Sequence, residues 1–384
     1  MYPRLSDFVN DMLGTKVEWP VQSYGFFLAM AFVAGAWFLR LELKRGETQG
    51  SIRGRVSKTT NSRSGLIDYA ISFLVGFIIG FKVYLLATDY NTFVEDPQSA
   101  LFSMKGNVFA GFLLAAAMVG WTYYTDHRSR NKMVSDQFIH PYELTPVIVL
   151  IAAVTGILGA KLFHILENLQ AFAGNPAGML FTFDGLTFYG GLLTAAFAVA
   201  WYGQKNGIHW RQLGDMIAPS LILAYGIGRI GCQFAGDGDW GIVNTMPKPA
   251  WLSLIPDWLW AYHYPHNILG EGIPIAGCTG RYCFQLEQPV FPTPVYETIM
   301  SLALFAILWL IRKRLAVPGM LFAVYLILNG MERFLIEQIR INNTLDLFGI
   351  MVTQAQLIST GLILTGIVLL VIFQKHPEIK SMPS

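Results

Sequence analysis

Nine segments of the chain are apolar over about 18 or more residues, the length that a helix needs to cross a bilayer. They lie near residues 24–41, 66–88, 107–124, 143–165, 185–203, 216–235, 294–311, 319–339 and 356–373. This pattern predicts an all-α fold, a polytopic membrane helix bundle of about nine transmembrane helices. Pro219 and the glycines near it predict that the sixth segment is broken or re-entrant.

Lysine and arginine are unevenly distributed among the loops, which predicts the orientation of the helices. Residues 40–65, between the first two segments, contain seven basic residues. The loops 89–106, 166–184 and 341–355 contain one lysine between them. By the positive-inside rule, the N-terminus lies outside and the C-terminus inside. Residues 1–22 lack the basic leader of a secretory signal, so we expect the first segment to stay in the protein.

Composition and residue spacing exclude several classes of partner. The net charge is only +2 over 384 residues, which predicts no nucleic-acid partner. The loop histidines show no metal-ligand spacing, so we expect no metal and no cofactor. Cys278 and Cys283 bracket four residues of a long outer loop, where an oxidising compartment permits a disulfide.

Part of the chain is duplicated. Residues 96–117 align with 175–196 at a constant offset of 79, and ten of the 22 positions are identical. Because two predicted helices separate the copies, the pattern predicts an internal parallel repeat, with 66–124 as an extra helix pair resembling 145–203. We expect residues 1–374 to form a single transmembrane domain. The segment 236–293 forms a long outer loop between helices, and 375–384 a cytoplasmic tail.

Polar residues that are costly in a bilayer gather at the outer ends of several predicted helices. An arginine at the centre of a membrane helix costs about 2.5–3.5 kcal/mol on insertion scales, so it usually faces a polar cavity. Single residues also have structural explanations, such as interfacial tyrosine anchors, a snorkelling Arg340 or a structural Arg333–Glu337 ion pair. The convergence on one side nevertheless predicts a site that contains Tyr24, Lys161, His164, Tyr189, Arg229, Asp237, Asp239, Tyr296, Glu297, Arg333, Glu337 and Arg340.

At these residues the sequence resembles the prolipoprotein diacylglyceryl transferases of bacterial inner membranes. The resemblance covers about 140–374 and the first helix. It is strongest in GRIGCQFAGDGDWG at 228–241. Weaker matches are Tyr24-Gly25, Gly-Ala-Lys at 159–161, FYGGLL at 188–193, PVYE at 294–297, and RFLIE with Arg340 at 333–340.

The resemblance implies a reaction and its substrates. Such enzymes move the diacylglyceryl group of phosphatidylglycerol to the lipobox cysteine that follows the signal segment of a prolipoprotein. The products are a thioether-linked lipid and glycerol phosphate. The resemblance implies a multi-pass protein in the bacterial inner membrane, in contact with membrane lipid, with its active site toward the periplasm.

Motif positions imply roles for individual residues. Arg229 would bind the lipid phosphate, and Arg333, oriented by Glu337, would form a second wall of that anion site. The residues that we expect to act in catalysis are Tyr189, Arg229, Asp237, Arg333 and Glu337. Those that we expect to bind substrate are Arg229, Tyr24, Lys161, Asp239, Gly241 and Tyr296.

The chain also departs from the family pattern. Tyr189 stands where the family often has a histidine, and tyrosine is a poor general base at neutral pH. Lys161 stands where arginine is common and lacks its bidentate geometry. One residue is inserted before Trp240. Two alternatives stay open: a transporter of a small anionic or lipid-like solute, and a lipid-binding homologue without catalysis.

Overall fold

The computed structural model describes residues 1–58, 65–88, 90, 105–129, 136–181, 187–342, 344–347 and 350–376. Two predictions fall partly outside these residues. The repeat includes 96–104 and 182–186, and the cytoplasmic tail includes 377–384, so the structure bears on neither in full.

The described residues are mainly helical. The helices are α1 (Leu5–Leu13), α2 (Ser23–Thr48), α3 (Leu66–Thr88), α4 (Val108–Ser129), α5 (Thr145–Glu167), α6 (Leu169–Gly174), α7 (Pro176–Phe181), α8 (Phe188–Lys205), α9 (Trp210–Ala235), α10 (Thr293–Ile311), α11 (Met320–Glu337) and α12 (Gln354–Lys375). Three two-stranded sheets are formed by β1 (Arg55–Lys58) with β2 (Asp136–Ile139), β3 (Ile273–Pro274) with β4 (Phe284–Gln285), and β5 (Thr344–Leu347) with β6 (Ile350–Thr353).

Each of the nine predicted membrane segments coincides with one long helix in the described part of the chain: α2 to α5, and α8 to α12. Seven of these helices are long and apolar enough to cross a membrane, which confirms the all-α polytopic membrane fold. The other two are α8, which ends in the polar Gln204 and Lys205, and α11, which carries Glu332, Arg333 and Glu337. The count of nine spans and their orientation stay predictions.

The prediction of a broken sixth helix is wrong. Helix α9 runs without interruption from Trp210 to Ala235, with Pro219 buried inside it. His209 caps its start by accepting a hydrogen bond from the backbone N–H of Arg211. Gly236, with φ of 63°, ends it in the left-handed conformation that favours glycine. Proline is tolerated inside a membrane helix because neighbouring helices and side chains can satisfy the backbone groups that it leaves unpaired.

The chain divides into two compact units. One unit contains Met1, 24–55 and 140–384, and the other contains 2–23 and 56–139. In the smaller unit, α3 and α4 approach closely at small residues: a Cβ at Gly76 would lie 2.7 Å from the Cα of Ala115. This close approach is typical of packing between membrane helices.

In the larger unit, α9, α10 and α11 share a buried core formed by Ile222, Leu308 and Leu321. Asp215 of α9 joins α9 to the start of α11, because its carboxylate accepts the backbone N–H groups of Gly319 (2.6 Å) and Phe322 (2.8 Å). These contacts satisfy N–H groups that a helix start leaves unpaired. The three helices are therefore held together by the core, and α9 and α11 are also joined at the α11 N-terminus.

The long loop between α9 and α10 has a core of its own. Trp240, Tyr264 and Val290 are buried together, and the Trp240 and Tyr264 rings lie 5.0 Å apart. Cys278 and Cys283 form a disulfide, beside the antiparallel pair β3–β4. The loop between α9 and α10 therefore has a defined structure, held by its own core and disulfide.

We predict that Gly330→Ala destabilises the packing of α11 on α12. A Cβ there would lie 2.8 Å from the backbone oxygen of Ser359, which cannot move as a side chain can. Overpacking of this kind costs about 1–3 kcal/mol, so thermal unfolding in detergent should occur at a lower temperature. Gly361→Ala on α12 is the matched control, because nothing lies within 4 Å of its added Cβ. Equal unfolding temperatures for the two variants would contradict the close approach at Gly330.

Candidate functional site

The centre of the candidate site is the carboxylate of Glu297, the fifth residue of α10, whose side chain is fully buried. Its Oε2 contacts Arg229 Nε at 2.9 Å, and its Oε1 contacts Arg333 Nη1 at 3.2 Å and Arg340 Nη1 at 3.3 Å. The Tyr225 hydroxyl donates to the same Oε1 at 3.1 Å. We call Arg229, Arg333 and Arg340 the arginine cluster. It joins the end of α9, the start of α10 and the end of α11.

A second carboxylate, that of Asp239, bridges two members of the arginine cluster. Its Oδ2 pairs with Arg229 Nη1, and its Oδ1 pairs with Arg340 Nη2 at 2.5 Å. Burial opposes ionisation of Asp239, but the guanidinium groups of Arg229 and Arg340 outweigh it and lower the pKa of this carboxyl below its usual value. Asp239 is therefore an anion that is held between two cations.

Glu337 supplies a third carboxylate. It lies one helical turn after Arg333, and its Oε2 is 3.0 Å from Arg333 Nη2. The side chain of Asn342 donates to Glu337 Oε1 at 2.6 Å. Arg333 is thus fixed between Glu297 and Glu337. The Arg333–Glu337 ion pair that the sequence suggested is present.

Main-chain contacts hold Asp239 and Arg340 in register. Gly241 forms an isolated antiparallel bridge with Arg340, and the Ile242 N–H donates to the Ile339 carbonyl at 2.8 Å. A Cβ at Gly241 would lie 2.9 Å from the Cβ of Phe291, so this close approach requires glycine. Gly241, which we expected to bind substrate, therefore packs the loop after α9 against the segment that follows α11.

Asp237 lies in the same turn as Asp239 but makes different contacts. Its Oδ1 accepts the backbone N–H of Asp239 at 3.4 Å, and burial, together with the Asp239 carboxylate, raises the pKa of Asp237. Of the two aspartates, Asp239 is the one that pairs with Arg229.

Among the described residues, one group has donor atoms close enough to hold a metal ion: those of Cys232, Asp237 and Asp239 lie within 4.8 Å of one another. Asp239 is already paired with two guanidinium groups, which would oppose a cation there. The expectation of no metal stays a prediction.

Two other predicted site residues, Tyr24 and Tyr296, contact different parts of the protein. Tyr24, in the first turn of α2, is next to α9, because a Cβ at Gly231 would lie 3.4 Å from its Cα. Tyr296, next to Glu297, turns toward the long loop, where its hydroxyl donates to the Leu259 carbonyl at 2.5 Å.

Lys161 and Tyr189 lie on the adjacent helices α5 and α8, which approach closely where a Cβ at Gly191 would lie 2.7 Å from the Gly156 carbonyl oxygen. Tyr189 is half-buried and makes an edge contact with Phe188. Within the described ranges, no hydrogen bond joins Tyr189 to the arginine cluster. The structure therefore brings together the predicted residues of α9, α10 and the segment that ends α11, but does not join Tyr189 to them by a hydrogen bond.

Sequence reasoning gave too little weight to two residues. Glu297 was left out of the predicted catalytic and binding sets, although it is the ion-pair centre. Arg340 was also left out of these sets, although it is 10% exposed and pairs with Asp239 and Glu297. The convergence of charged residues at the outer helix ends was the signal for both residues, since it included them in the predicted site.

Comparison with known proteins places this chain among membrane transferases. The sequence model of the family "Prolipoprotein diacylglyceryl transferase" matches residues 100–372. The match begins before residue 140, where the resemblance was expected to begin, and includes part of the extra helix pair.

Several curated proteins named phosphatidylglycerol–prolipoprotein diacylglyceryl transferase are similar to this chain. The one from Symbiobacterium thermophilum is 30% identical over 273 residues, which are 70% of this chain and 88% of the relative. That from Photorhabdus laumondii is 32% identical over 230 residues, 58% of this chain and 73% of the relative. That from Corynebacterium diphtheriae is 30% identical over 206 residues, 52% of this chain and 68% of the relative.

We predict that Glu297→Gln strongly destabilises the larger unit. The substitution keeps the shape of the side chain but leaves three guanidinium groups around a neutral amide. Removing one partner of a buried ion pair costs about 3–5 kcal/mol. Thermal unfolding in detergent measures the loss. Glu287→Gln, at an exposed position of the long loop that precedes α10, is the control and should unfold like the unsubstituted chain. If both variants unfold alike, Glu297 does not hold the three helices together.

Proposed function

Because this chain belongs to the prolipoprotein diacylglyceryl transferase family, we propose that it transfers the diacylglyceryl group of phosphatidylglycerol to the lipobox cysteine of prolipoproteins. The reaction forms a thioether and releases glycerol phosphate. Its two substrates are the phospholipid and the signal segment of the prolipoprotein, which reach the enzyme through the bilayer.

The observation that supports this proposal is the convergence of three guanidinium groups at one end of α9, α10 and α11. Arg229, Arg333 and Arg340 all contact the buried carboxylate of Glu297. Arginine suits phosphate esters because its planar fork donates two parallel hydrogen bonds. A cluster of three at the end of apolar helices matches a substrate whose phosphate lies at the membrane surface.

The chemical step assigns a role to this positive charge. The substrate's thiolate attacks the glyceryl carbon that carries the phosphate, a carbon–sulfur bond forms, and the carbon–oxygen bond to phosphate breaks. Negative charge moves from sulfur to the departing glycerol phosphate. Arg229 and Arg333 stabilise that charge, and the low dielectric of the membrane end strengthens their effect. The nucleophile belongs to the substrate, so this chain needs no catalytic serine or cysteine.

In the absence of lipid, the Asp239 carboxylate neutralises part of the positive charge of the arginine cluster. Its two oxygens pair with Arg229 and Arg340, as two oxygens of a phosphate would. We infer that the lipid phosphate displaces this carboxylate and takes over the two guanidinium groups. The Asp239 side chain is 30% exposed, so it can rotate away from the guanidinium groups while the main chain of its turn stays in place.

The surrounding residues take supporting roles in the proposal. Tyr24 and Lys161 contact the headgroup, Asp237 hydrogen-bonds its glycerol, and Glu337 orients Arg333. Tyr189 takes the place of the family histidine near the thiol. Tyr296 acts indirectly, by fixing the long loop through Leu259. Gly241 brings Asp239 and Arg340 together.

We place the site on the periplasmic side of the bacterial inner membrane. The disulfide between Cys278 and Cys283 lies in the loop at the same end of α10 as Glu297, and disulfides persist in oxidising compartments. Arg312, Lys313 and Arg314 follow the other end of α10, as expected for the cytoplasmic side.

Arg229→Gln tests the proposed function. We expect diacylglyceryl transfer from phosphatidylglycerol to a lipobox peptide to fall about 10²–10³-fold, the usual cost of removing one donor that stabilises a developing anion. Arg229→Lys keeps the charge without the bidentate geometry and should have intermediate activity. The measurement is lipid transfer in membranes that contain equal amounts of each variant.

Arg281→Gln is the control, because Arg281 is an exposed arginine of the long loop. It should transfer lipid at the unsubstituted rate. Unchanged transfer by Arg229→Gln would remove Arg229 from the mechanism. Lipid binding without transfer by the unsubstituted chain would identify a non-catalytic homologue instead.

Asp239→Asn tests the displacement step. Without the competing carboxylate, phosphatidylglycerol should bind more tightly, so KM for the lipid should fall several-fold while the protein stays folded. Because its lowered pKa keeps Asp239 ionised, the effect should be constant between about pH 5 and 8. Glu287→Gln, which removes an exposed carboxylate of the long loop, is the control and should leave this KM unchanged. A lower kcat at constant KM would instead show that Asp239 orients Arg229 for the reaction.

A further inference from the structure

Residues 245–259 of the long loop, which we call the loop tip, expose large apolar side chains. Met246 is 57% exposed, Trp251 79%, Leu254 96% and Trp258 44%. The loop tip contains only two charged residues, Lys248 and Asp257, and these pair with each other at 2.7 Å. Its surface is therefore apolar and electrically neutral.

The loop tip has a fixed backbone, so these side chains are presented in a defined arrangement. Lys248 Nζ also donates to the Ile255 carbonyl at 2.6 Å, which closes a turn around Trp251 and Leu254. The indole N–H of Trp260 donates to the Met246 carbonyl at 2.9 Å and closes the base of the tip. Two short 3₁₀ turns, Ala250–Leu252 and Asp257–Leu259, complete it.

Contacts at its base locate the loop tip relative to the arginine cluster. The Tyr296 hydroxyl donates to the Leu259 carbonyl at 2.5 Å, and Tyr296 precedes Glu297 in the first turn of α10. The Asn244 side chain donates to the Trp260 carbonyl at 2.7 Å. The loop tip thus begins where the apolar helix α10 begins, at the end of the bundle that carries the arginine cluster.

We propose that the loop tip docks on the lipid leaflet next to the arginine cluster, with Trp251, Leu254 and Trp258 inserted at the boundary between headgroups and acyl chains. Indole rings prefer this boundary because they combine an apolar ring with a polar N–H. Insertion desolvates no unpaired charge, because Lys248 and Asp257 neutralise each other. The chain is a multi-pass membrane protein, so such a leaflet surrounds it at all times.

Docking on lipid has a consequence for the first turn of α10. Tyr296, the residue before Glu297, is hydrogen-bonded to the loop tip. A tip anchored in the leaflet therefore holds the start of α10 at the level of the headgroups. The arginine cluster would then be kept at the depth at which lipid phosphates lie. This inference needs only the membrane character of the chain and does not depend on the proposed reaction.

A spin label in the loop tip tests the docking. The full chain carrying Leu254→Cys is labelled and placed in nanodiscs of phosphatidylethanolamine and phosphatidylglycerol. We expect the label to be reached readily by oxygen, which concentrates in lipid, and poorly by a water-soluble nickel chelate. The matched control is Ile273→Cys, an exposed apolar position of strand β3 in the same loop, which should be reached readily by nickel. The unsubstituted chain gives the labelling background, because its free Cys232 is buried.

A second variant shows whether the apolar side chains cause the docking. Trp251→Ser in the Leu254→Cys background should increase access of nickel to the label several-fold, while the elution of the protein on size exclusion stays the same. Equal nickel access at positions 254 and 273 would overturn the proposal. So would protection that appears only after a lipobox peptide is added, since the tip would then bind the signal segment. Neither measurement requires transfer activity, so the outcome is independent of the proposed function.

Discussion

The buried carboxylate of Glu297 is the interaction on which the rest of the site depends. An ionised carboxylate inside an apolar bundle is unfavourable unless cations and hydrogen-bond donors surround it. Here it receives Arg229, Arg333, Arg340 and the Tyr225 hydroxyl. Because these partners come from different helices, satisfying one carboxylate fixes the relative depth of α9, α10 and α11.

The opposite end of α10 provides a useful comparison. There Arg312 pairs with the buried Glu42 of α2 at 2.8 Å, and Glu42 also pairs with Arg45 at 2.6 Å. No charged residue lies between Glu297 and Arg312 in the sequence. A carrier would be expected to place polar groups near the middle of the bilayer, where both sides can reach them. The charges of α10 are confined to its two ends, which favours a site at the membrane surface.

Much of this arrangement could be predicted from the sequence. The lengths of the apolar segments gave the helices, and the requirement that membrane charges find partners indicated that Arg229 and Arg333 would meet. Two errors have the same origin: the residues next to a position in the sequence do not show how distant helices and loops pack against it. Pro219 suggests a break when α9 is considered alone, but the helix is continuous within the bundle. Arg340 suggests a surface residue until the loop after α9 brings Asp239 to it.

Contacts made by the long loop lie beyond what sequence reasoning can supply. The bond from Tyr296 to Leu259 spans 37 residues, and nothing in the pattern around either residue specifies it. The path of such a loop is set by its own core of Trp240, Tyr264 and Val290, which assembles residues that are far apart in sequence.

The first five residues of α10 connect these features. Thr293 donates to the Asp239 carbonyl at 2.5 Å, Tyr296 donates to the loop tip, and Glu297 receives the arginine cluster. Three residues within five positions therefore bind the turn that carries Asp239, the tip that we place on the lipid, and the three guanidinium groups. A helix turn held from three directions has little freedom to move, so the movement that admits a lipid phosphate must occur elsewhere. The Asp239 side chain, which is 30% exposed against 17% for Arg229 and 10% for Arg340, can provide it by rotating away from the two guanidinium groups.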